Sequence, residues 1–342
     1  WGVPAPELEG VKGLTFWVWP ESLWAPISFT KTYLENKGAG PETWKDWWCS
    51  PEAEVYQFIG EDNIYFYGLA QQALFMGLQG KNYTAHPGPG ALKLSKLVVN
   101  NHILFMDKKA SSSGAVKPPM ADDLLNHYTA DQLRAHFASL GLALRSVGFK
   151  PKPYNPTATA RDGDPVLKEG NLLSNVLNRA VRSCFYLCQS RFNGIIPQGN
   201  ISPEIKAECD TAILKYEAAM ARQEFHEVMK ILDDFIRGIN KIWSKNTKEA
   251  MDTGNAGLEK QTLIDVFHMV KTSIVLMHSI APVGTERVRD FLNMGQDLWS
   301  WNKIFEPLYV HMKDPISHKL KELPPRTDFF EKHPSQIQAG EQ

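Results

Sequence analysis

The chain has 342 residues, of which 43% are hydrophobic and 22% are charged, and its formal net charge is −1. This length is sufficient for two domains, and the near-neutral balance means that a nucleic-acid partner would need a local basic patch. No apolar run approaches the length of a membrane span, so no membrane association is expected.

The four cysteines, Cys49, Cys184, Cys188 and Cys209, include no Cys-x-x-Cys pair. We therefore predict no zinc site and no other metal site. Cys184 and Cys188 lie one helical turn apart, which favours two small core residues over half of a metal site. Free thiols without a disulfide framework suit a reducing compartment, and we expect a cytoplasmic protein.

The first part of the chain, residues 1–107, is predicted to be α/β. Residues 14–19 form a compact apolar strand candidate, and residues 28–37 form a short helix. A further apolar strand is predicted over residues 97–106. These elements amount to about half of a nucleotide-binding fold.

The central element of this part is the strand predicted over residues 55–59, which is rich in β-branched and aromatic residues. Gly60 breaks the apolar run, and the acidic pair Glu61 and Asp62 follows at the carboxyl end of the strand. Ligands of doubly wound sheets bind at that end, where a carboxylate can accept hydrogen bonds from ribose hydroxyls or an amino group. The alternative is that Asp62 caps a helix beginning near Ile64, which is a common use of aspartate.

A stretch of lysines and serines, residues 108–114, follows the next predicted strand. Ammonium and hydroxyl groups on a loop at a sheet edge can approach a triphosphate and neutralise its charge. Taken alone, such a stretch is more often a solvated linker. Its position between a strand and a helix predicted over residues 122–142 favours the phosphate-binding interpretation.

The second part of the chain is predicted to be helical. Residues 108–165 form the lysine-serine loop, a connecting helix and a proline-rich linker. An apolar stripe over residues 172–188 indicates the first bundle helix, and four more helices are predicted at residues 203–222, 224–243, 260–280 and 288–298. The fold class is thus α/β followed by all-α, with an antiparallel bundle over residues 166–298. Residues 299–342 are predicted to be an irregular tail packed on the bundle.

Three segments of the chain contain short sequence motifs that occur together, in the same order, in one protein family. Residues 56–66 read Tyr-Gln-Phe-Ile-Gly-Glu-Asp-Asn-Ile-Tyr-Phe, residues 1–6 read Trp-Gly-Val-Pro-Ala-Pro, and residues 109–114 read Lys-Ala-Ser-Ser-Ser-Gly. In order and wording they resemble the Phe-Ile-Gly-Lys-Asp, Trp-Gly-Ile-Pro-Val-Pro and Lys-Met-Ser-Lys-Ser-Arg-Gly elements of the methionyl-tRNA synthetase family. Residues 128–134 match a helix start shared by several class I synthetases.

The resemblance implies the second half of a class I synthetase Rossmann-like catalytic domain, joined to an anticodon-binding helical bundle. It implies ATP-dependent activation of methionine and transfer of methionine to tRNA, with Mg²⁺-bound ATP as a substrate. Carried over to this sequence, Gly60 and Asp62 would bind the adenosine, with Asp62 on the ribose. Lys109, Ser111 and Ser113 would act at the phosphates.

The resemblance also implies an amino-acid pocket and a tRNA-reading helix. Trp19, Glu21 and Tyr67 fall at pocket positions, where Glu21 replaces an Asp and Tyr67 replaces a His of the family. Asn178 and Arg182 match the Asn-Leu-Ala-Ser-Arg element that reads the anticodon. An amide and a guanidinium one turn apart can bond and stack with an unstacked base. The alternative is an ordinary polar helix face.

Several family features are changed in this chain. The second lysine of the loop becomes Ser112, which removes a fixed positive charge. The Pro-Trp pair that stacks on the anticodon is replaced near Lys248 and Glu249, and the family's His-Ile-Gly-His motif does not occur. We therefore expect an N-terminal half outside this sequence as a partner, and we predict that this chain alone does not activate an amino acid.

Two functions follow from these observations. The first is a methionyl-tRNA synthetase or close paralogue that acts on methionine or a related amino acid and on tRNA. The alternative is a catalytically inactive synthetase-like module that binds tRNA, an amino acid or a protein partner.

Overall fold

A computed structural model describes residues 3–16, 18–109 and 117–337 of the chain. The chain forms two compact units, Trp1–His102 with Leu142–Ser146, and Ile103–Gly141 with Val147–Gln342. The first unit is α/β and the second carries a helical bundle, so the predicted fold class is confirmed. The predicted boundaries at residues 107, 165 and 298 stay predictions.

The first unit contains two small sheets and four helices. Its strands are β1 (Val3–Pro4), β2 (Thr15–Phe16), β3 (Tyr56–Gly60) and β4 (Lys96–Asn100). Its helices are α1 (Val18–Ser22), α2 (Ala25–Asn36), α3 (Trp44–Trp48) and α4 (Gln71–Gly77). β1 pairs with β2 in antiparallel fashion, whereas β3 and β4 are parallel and end together, with Gly60 opposite Asn100. The parallel pair therefore has one carboxyl edge.

Two strand predictions for this unit were wrong in extent. The strand predicted over residues 14–19 is limited to β2, because Val18–Ser22 is helical and the Ser22 hydroxyl donates to the Val18 carbonyl at 2.9 Å. The strand predicted over residues 97–106 is divided at Asn101. The Asn101 backbone N–H and side-chain amide both donate to the Leu142 carbonyl, which ends β4 before the next strand begins.

The first unit has a small apolar core. The buried residues that contact one another are Ile27, Trp48, Cys49, Phe75 and Leu92. The Trp48 indole donates to the Thr30 hydroxyl at 3.0 Å and thereby joins α3 to α2. This core holds the helices against one another but leaves many large apolar side chains of the unit exposed.

The second unit begins with a three-stranded sheet and two short helices. The strands are β5 (Ile103–Phe105), β6 (Lys108–Lys109) and β7 (Val147–Phe149), in the order β6-β5-β7, and the helices are α5 (Ala121–Leu124) and α6 (Ala130–Ser139). The single helix predicted over residues 122–142 was wrong. Thr129 starts a new helix through a capping box with Gln132, in which each side chain accepts from the other residue's backbone N–H.

Helix α6 is fixed to the bundle by two charged side chains. The Asp131 carboxylate accepts from the backbone N–H groups of Val283 and Gly284, at 3.3 and 2.8 Å. The Arg134 guanidinium donates to the carbonyls of Ser279 and Ile280. The helix start shared with class I synthetases therefore joins the connector to the bundle in this chain.

The bundle consists of six helices. They are α7 (Pro165–Asn171), α8 (Asn178–Phe192), α9 (Pro203–Ala221), α10 (Phe225–Thr253), α11 (Ala256–Met277) and α12 (Pro282–Phe291). A π-helical turn, Leu172–Leu177, joins α7 to α8. Helix α10 runs ten residues past its predicted end and stops where Gly254 adopts a left-handed conformation, with φ of 66°. Helix α12 begins earlier and ends earlier than the predicted 288–298, because Pro282 occupies its first turn.

The bundle has a large apolar core that also takes in the C-terminal segment. Phe267 on α11 packs against Phe185 on α8, and Phe185 packs against Phe329, with ring centroids 5.9 and 5.4 Å apart. The C-terminal segment forms short 3₁₀ turns, among them Leu308–His311. A buried lysine, Lys271, donates to three backbone carbonyls of this segment.

All four cysteines are buried and unpaired by disulfides. Burial raises the pKa of Cys188 and Cys209 to about 12, so both thiols stay protonated. In the described part of the chain, no cluster of three or more His, Cys, Asp or Glu side chains could hold a metal ion. None of the helices described is long and apolar enough to cross a membrane.

Candidate functional site

The carboxyl edge of the parallel strands gathers polar side chains from both strands. Gly60, Glu61 and Asp62 follow β3, while Asn100 ends β4 and His102 comes two residues later. Because the two strands are parallel and in register, these residues lie at the same edge. This is the place where open α/β sheets bind ligands.

His102 lies between the two carboxylates of this edge. Its Nδ1 is 2.6 Å from Oε1 of Glu61, and its Nε2 is 3.6 Å from Oδ2 of Asp62. The imidazole is 23% exposed, compared with 53% for the Asp62 side chain. The contact with Glu61 has the length of a hydrogen bond, whereas the contact with Asp62 is longer, so His102 is fixed by Glu61 and lies beside the Asp62 carboxylate.

Gly60 is required by the position of Asp62. The backbone at Gly60 is extended, and a Cβ there would lie 2.9 Å from Oδ1 of Asp62. Any side chain at position 60 would push the carboxylate away from the strand end. The predicted pairing of Gly60 with Asp62 in one site thus has a steric basis.

The alternative interpretation of Asp62 as a helix N-cap does not match the geometry. Gly60 occupies the N-cap position of a 3₁₀ turn, Glu61–Asn63, and no side chain caps this turn or the π-helical turn Tyr65–Ala70 that follows. The regular helix, Gln71–Gly77, begins ten residues after Glu61, directly at the end of the π-helical turn. π-Helical turns occur frequently at functional sites.

Trp19 contacts the π-helical turn. Its ring stacks on Phe66 with a centroid distance of 3.8 Å and an interplanar angle of 6°. Tyr67, the next residue, is half-buried, whereas Glu21 is exposed to solvent. The structure therefore brings Trp19 beside the turn that carries Tyr67, and it places Glu21 at the surface.

A buried glutamine joins these elements. Gln71 is fully buried, its Nε2 donates to the Leu23 carbonyl at 2.8 Å, and its Oε1 accepts from Gln57 at 2.6 Å. These bonds link the end of the Trp19 helix, the start of α4 and strand β3. An unsatisfied amide here would carry the full desolvation penalty, so Gln71 fixes the local geometry.

The lysines of the predicted phosphate loop lie on a hairpin. β5 and β6 pair through a tight turn at Met106 and Asp107, both with positive φ, and Lys108 and Lys109 are exposed on β6. Successive strand residues point to opposite faces, so Lys108 does not share the direction of Lys109. Ser111 and Ser113 lie outside the described residues.

The predicted tRNA-reading pair contacts the protein's own C-terminal segment. Asn178 is fully buried, its Nδ2 donates to the carbonyls of Ser174 and Phe330, and its Oδ1 accepts from the N–H groups of Phe329 and Phe330. The Arg182 guanidinium pairs with Asp328 at 2.7 Å. Their role in tRNA reading stays a prediction. Of the two, only Arg182 is partly accessible to a base.

The residues near the family's Pro-Trp pair lie inside a regular helix. Lys248 and Glu249 belong to Phe225–Thr253, so no loop presents them. Trp243, on the same helix, is partly buried against the bundle core. Lys248 and Glu249 have no aromatic ring and the Trp243 ring is partly buried, so none of the three offers the exposed ring that base stacking needs.

The sequence analysis missed two site residues, His102 and Gln71. His102 was hidden because residues 97–106 were assigned to one strand, although a polar pair followed by His is an unusual interior for a buried strand. Gln71 belongs to none of the motifs on which the sequence-based predictions rest. A fully buried amide with two partners carries no local sequence signal, since the partners come from distant elements.

The comparisons with known proteins relate this arrangement of a parallel strand pair and a helical bundle to the class I aminoacyl-tRNA synthetases. Residues 1–154 match the family model described as tRNA synthetases class I (M). The chain is 24% identical over 310 residues to the methionine–tRNA ligase of Thermobifida fusca and 25% identical over 318 residues to that of Saccharolobus solfataricus. These alignments cover 88% and 86% of this chain, and 48% and 49% of the two relatives.

Solved structures show the same fold. The methionyl-tRNA synthetase of Mycobacterium tuberculosis bound by methionyl-adenylate matches 97% of this chain with a TM-score of 0.68. The identity is 17%, and 58% of that protein is covered, so this match concerns the fold. The resemblance to the methionyl-tRNA synthetase family is confirmed. The chain spans about half the length of the curated relatives it matches.

Proposed function

We propose that this chain takes part in ATP-dependent activation of methionine and its transfer to tRNA. The observation that carries the proposal is the cluster of Glu61, Asp62 and His102 at the carboxyl edge of β3 and β4. Asp62 has the more exposed carboxylate and would accept hydrogen bonds from the ribose hydroxyls of an adenylate. His102, which is hydrogen-bonded to Glu61, would form the side of the site next to that carboxylate, with its Nε2 3.6 Å from Oδ2 of Asp62.

The remaining assignments extend this proposal. Trp19 and Tyr67 would form part of the amino-acid pocket, since Trp19 stacks on the turn that carries Tyr67. Lys109 is an exposed cation at the end of a hairpin, and it would neutralise negative charge on the phosphates of Mg²⁺-bound ATP. Arg182 would contact tRNA from α8 through the guanidinium edge that Asp328 leaves open.

We also infer that the first unit packs against further protein. Large apolar side chains are exposed along β3 and the following turns, with Tyr56 at 40%, Phe58 at 54%, Tyr65 at 64% and Leu69 at 63%. Parallel sheets are normally covered on both faces, and a contiguous apolar surface of this kind usually marks an interface. An N-terminal half of a synthetase catalytic domain is the partner that fits the proposal.

The ribose assignment is tested by calorimetry with methionyl sulfamoyl adenosine, an unreactive adenylate analogue. Asp62→Asn keeps the shape of the side chain and removes its charge, so affinity should fall roughly ten- to hundredfold, the range for hydrogen bonds to charged groups. Asp46→Asn, an exposed acid on α3, is the matched control and should bind like the original chain.

A 2′,3′-dideoxy version of the analogue identifies the atoms involved. It should bind more weakly than the parent analogue to the original chain and equally weakly to Asp62→Asn, because the lost contact is the same one. Additive losses would contradict the ribose assignment. Methionine-dependent ATP–pyrophosphate exchange, measured with the expected N-terminal half present, then separates the two functions. Analogue binding without exchange favours the catalytically inactive module, and exchange that Lys109→Ala abolishes favours the synthetase.

A further inference from the structure

The bundle contains an aromatic pocket that the proposed function does not use. It has a volume of about 460 Å³ and lies entirely in the second unit, between the ends of α9 and α11 and the segment that follows α12. Four rings line it, those of Tyr216, His278, Trp299 and Trp301. The volume falls in the range of small-molecule sites in proteins.

The rings are held in fixed positions. Trp299 stacks on His278 with a centroid distance of 3.9 Å and an interplanar angle of 7°, and its indole N–H donates to Glu286 at 2.9 Å. The Tyr216 hydroxyl bonds to Ser279 at 3.0 Å. A site whose walls are already ordered loses little conformational entropy when a ligand binds.

The charge around the pocket is negative. Glu217 lines the pocket, its carboxylate accepts from the Trp301 indole at 3.4 Å, and no Lys or Arg is among the lining residues. The nearby cations are engaged elsewhere, because Arg134 donates to the Ser279 and Ile280 carbonyls and Arg289 pairs with Glu286. A phosphate or carboxylate ligand would find no cationic partner on this wall.

His278 adds no positive charge to the wall. Thr285 donates its hydroxyl to the Ala281 carbonyl and can therefore accept from Nδ1 of His278, at 2.9 Å. Burial lowers the pKa of His278, which keeps the imidazole neutral at neutral pH. The stacked His278 and Trp299 rings thus form a neutral aromatic wall.

Two helix C-termini point to the same pocket. Glu217, Met220 and Ala221 come from the last turn of α9, while Val275 and the two residues after α11 line the opposite side. The carboxyl end of a helix carries a partial negative charge and favours cations. Arg134 caps the carbonyls that follow α11, so this contribution comes from α9. Aromatic faces attract cations through their quadrupoles, so three independent features favour the same sign of ligand charge.

We propose that this pocket binds a small organic cation, with an alkylammonium group against the Trp299, Trp301 and Tyr216 rings and its charge toward Glu217. The apolar remainder of the ligand would fill the part of the pocket lined by Met220 and Val275. This assignment is independent of the adenylate site, since none of its residues belongs to that site.

Titration calorimetry and indole fluorescence with choline and with its neutral isostere 3,3-dimethylbutan-1-ol test the proposal on the full chain. Choline should bind about tenfold more tightly than the isostere, because only choline gains the cation–π attraction. Trp301→Ala should weaken choline about tenfold and Trp301→Phe much less, since phenylalanine retains an aromatic face. Trp301 is partly exposed, so its truncation leaves the core intact.

Glu217→Gln tests the role of the carboxylate charge, because it removes that charge and keeps the shape of the side chain. It should weaken choline several-fold and leave the isostere unchanged, whereas Glu204→Gln, at the other end of α9, should change neither. Equal binding of choline and the isostere would overturn the proposal. The absence of saturable choline binding at millimolar concentrations would also overturn it, as would full choline affinity in both Trp301→Ala and Glu217→Gln.

Discussion

The two units of the chain bury their apolar side chains to different degrees. The bundle packs residues from five of its helices and from the C-terminal segment into one continuous core. The first unit has five buried apolar residues in its core and exposes Phe29, Tyr33, Trp47 and Tyr65 by 60% or more. Stability on folding scales with the apolar area removed from water. The bundle is therefore the more self-sufficient part, while the first unit leaves much of its apolar surface exposed.

The comparison predicts two unfolding transitions, and paired core substitutions separate them. Phe267→Ala in the bundle and Phe75→Ala in the first unit both truncate fully buried rings. Each should cost about 3–5 kcal/mol in the unit that contains it. In urea, helical circular dichroism should report mainly the bundle, and tryptophan fluorescence mainly the first unit, which holds most of the tryptophans.

The expected pattern is selective. Phe267→Ala should lower the urea midpoint of the circular dichroism transition and leave the fluorescence transition in place, and Phe75→Ala should do the reverse. A single coincident transition that both variants shift equally would show that the units unfold together, and the contrast between them would then have no energetic consequence.

A second prediction concerns the hydrogen bonds that hold the C-terminal segment in the bundle. Asn178→Ala leaves the N–H groups of Phe329 and Phe330 without their buried acceptor and should destabilise the bundle by about 2–4 kcal/mol. Asn175→Ala, on an exposed position of the preceding turn, is the matched control and should change stability by less than about 0.5 kcal/mol. Urea titration followed by circular dichroism measures both.

Arg182→Ala sharpens this prediction. Its ion pair with Asp328 is partly exposed, so its loss should cost less than about 1 kcal/mol. A large loss in Arg182→Ala with a small loss in Asn178→Ala would contradict the assignment of the buried amide as the main anchor of the segment.

Sequence patterns predicted the elements whose partners are close along the chain. The strand after residue 55 and the long bundle helices follow from periodicity alone, and the Asp62 edge follows from a strand ending in an acidic turn. The position of the site around Asp62 could be predicted in this way, but the other residues that form the site could not. His102 reaches Glu61 across 41 residues, and Gln71 reaches Leu23 across 48, so both contacts depend on the register of elements that local patterns do not encode.

The Asn178 and Arg182 pair illustrates the same limit in the bundle. Their spacing on one helix face is visible in the sequence, and it favours a role in recognition. Their partners, Asp328, Phe329 and Phe330, lie about 150 residues further along in a segment with no regular pattern. Burial by such a segment depends on tertiary packing, which overrides the local preference for an exposed polar face.

A further prediction is a pH dependence confined to the bundle. His268 is buried, neither ring nitrogen has a hydrogen-bond partner among the residues that the structure describes, and desolvation lowers its pKa to about 4. The unfolded chain, with an ordinary histidine pKa near 6.5, binds more protons between pH 6.5 and pH 4, so stability is lost as the pH falls through that window. At pH 5 the loss relative to pH 7 should be about 2 kcal/mol for this residue.

His268→Leu should therefore reduce the difference in unfolding free energy between pH 7 and pH 5 by about 2 kcal/mol, as measured by urea titration at the two pH values. His86→Gln, an exposed histidine of the first unit, should leave that difference unchanged. Because the comparison is between two pH values of the same variant, packing changes caused by leucine largely cancel. An unaltered pH difference in His268→Leu would mean that the imidazole finds a proton acceptor or water in the folded bundle, and its burial would then carry no acid sensitivity.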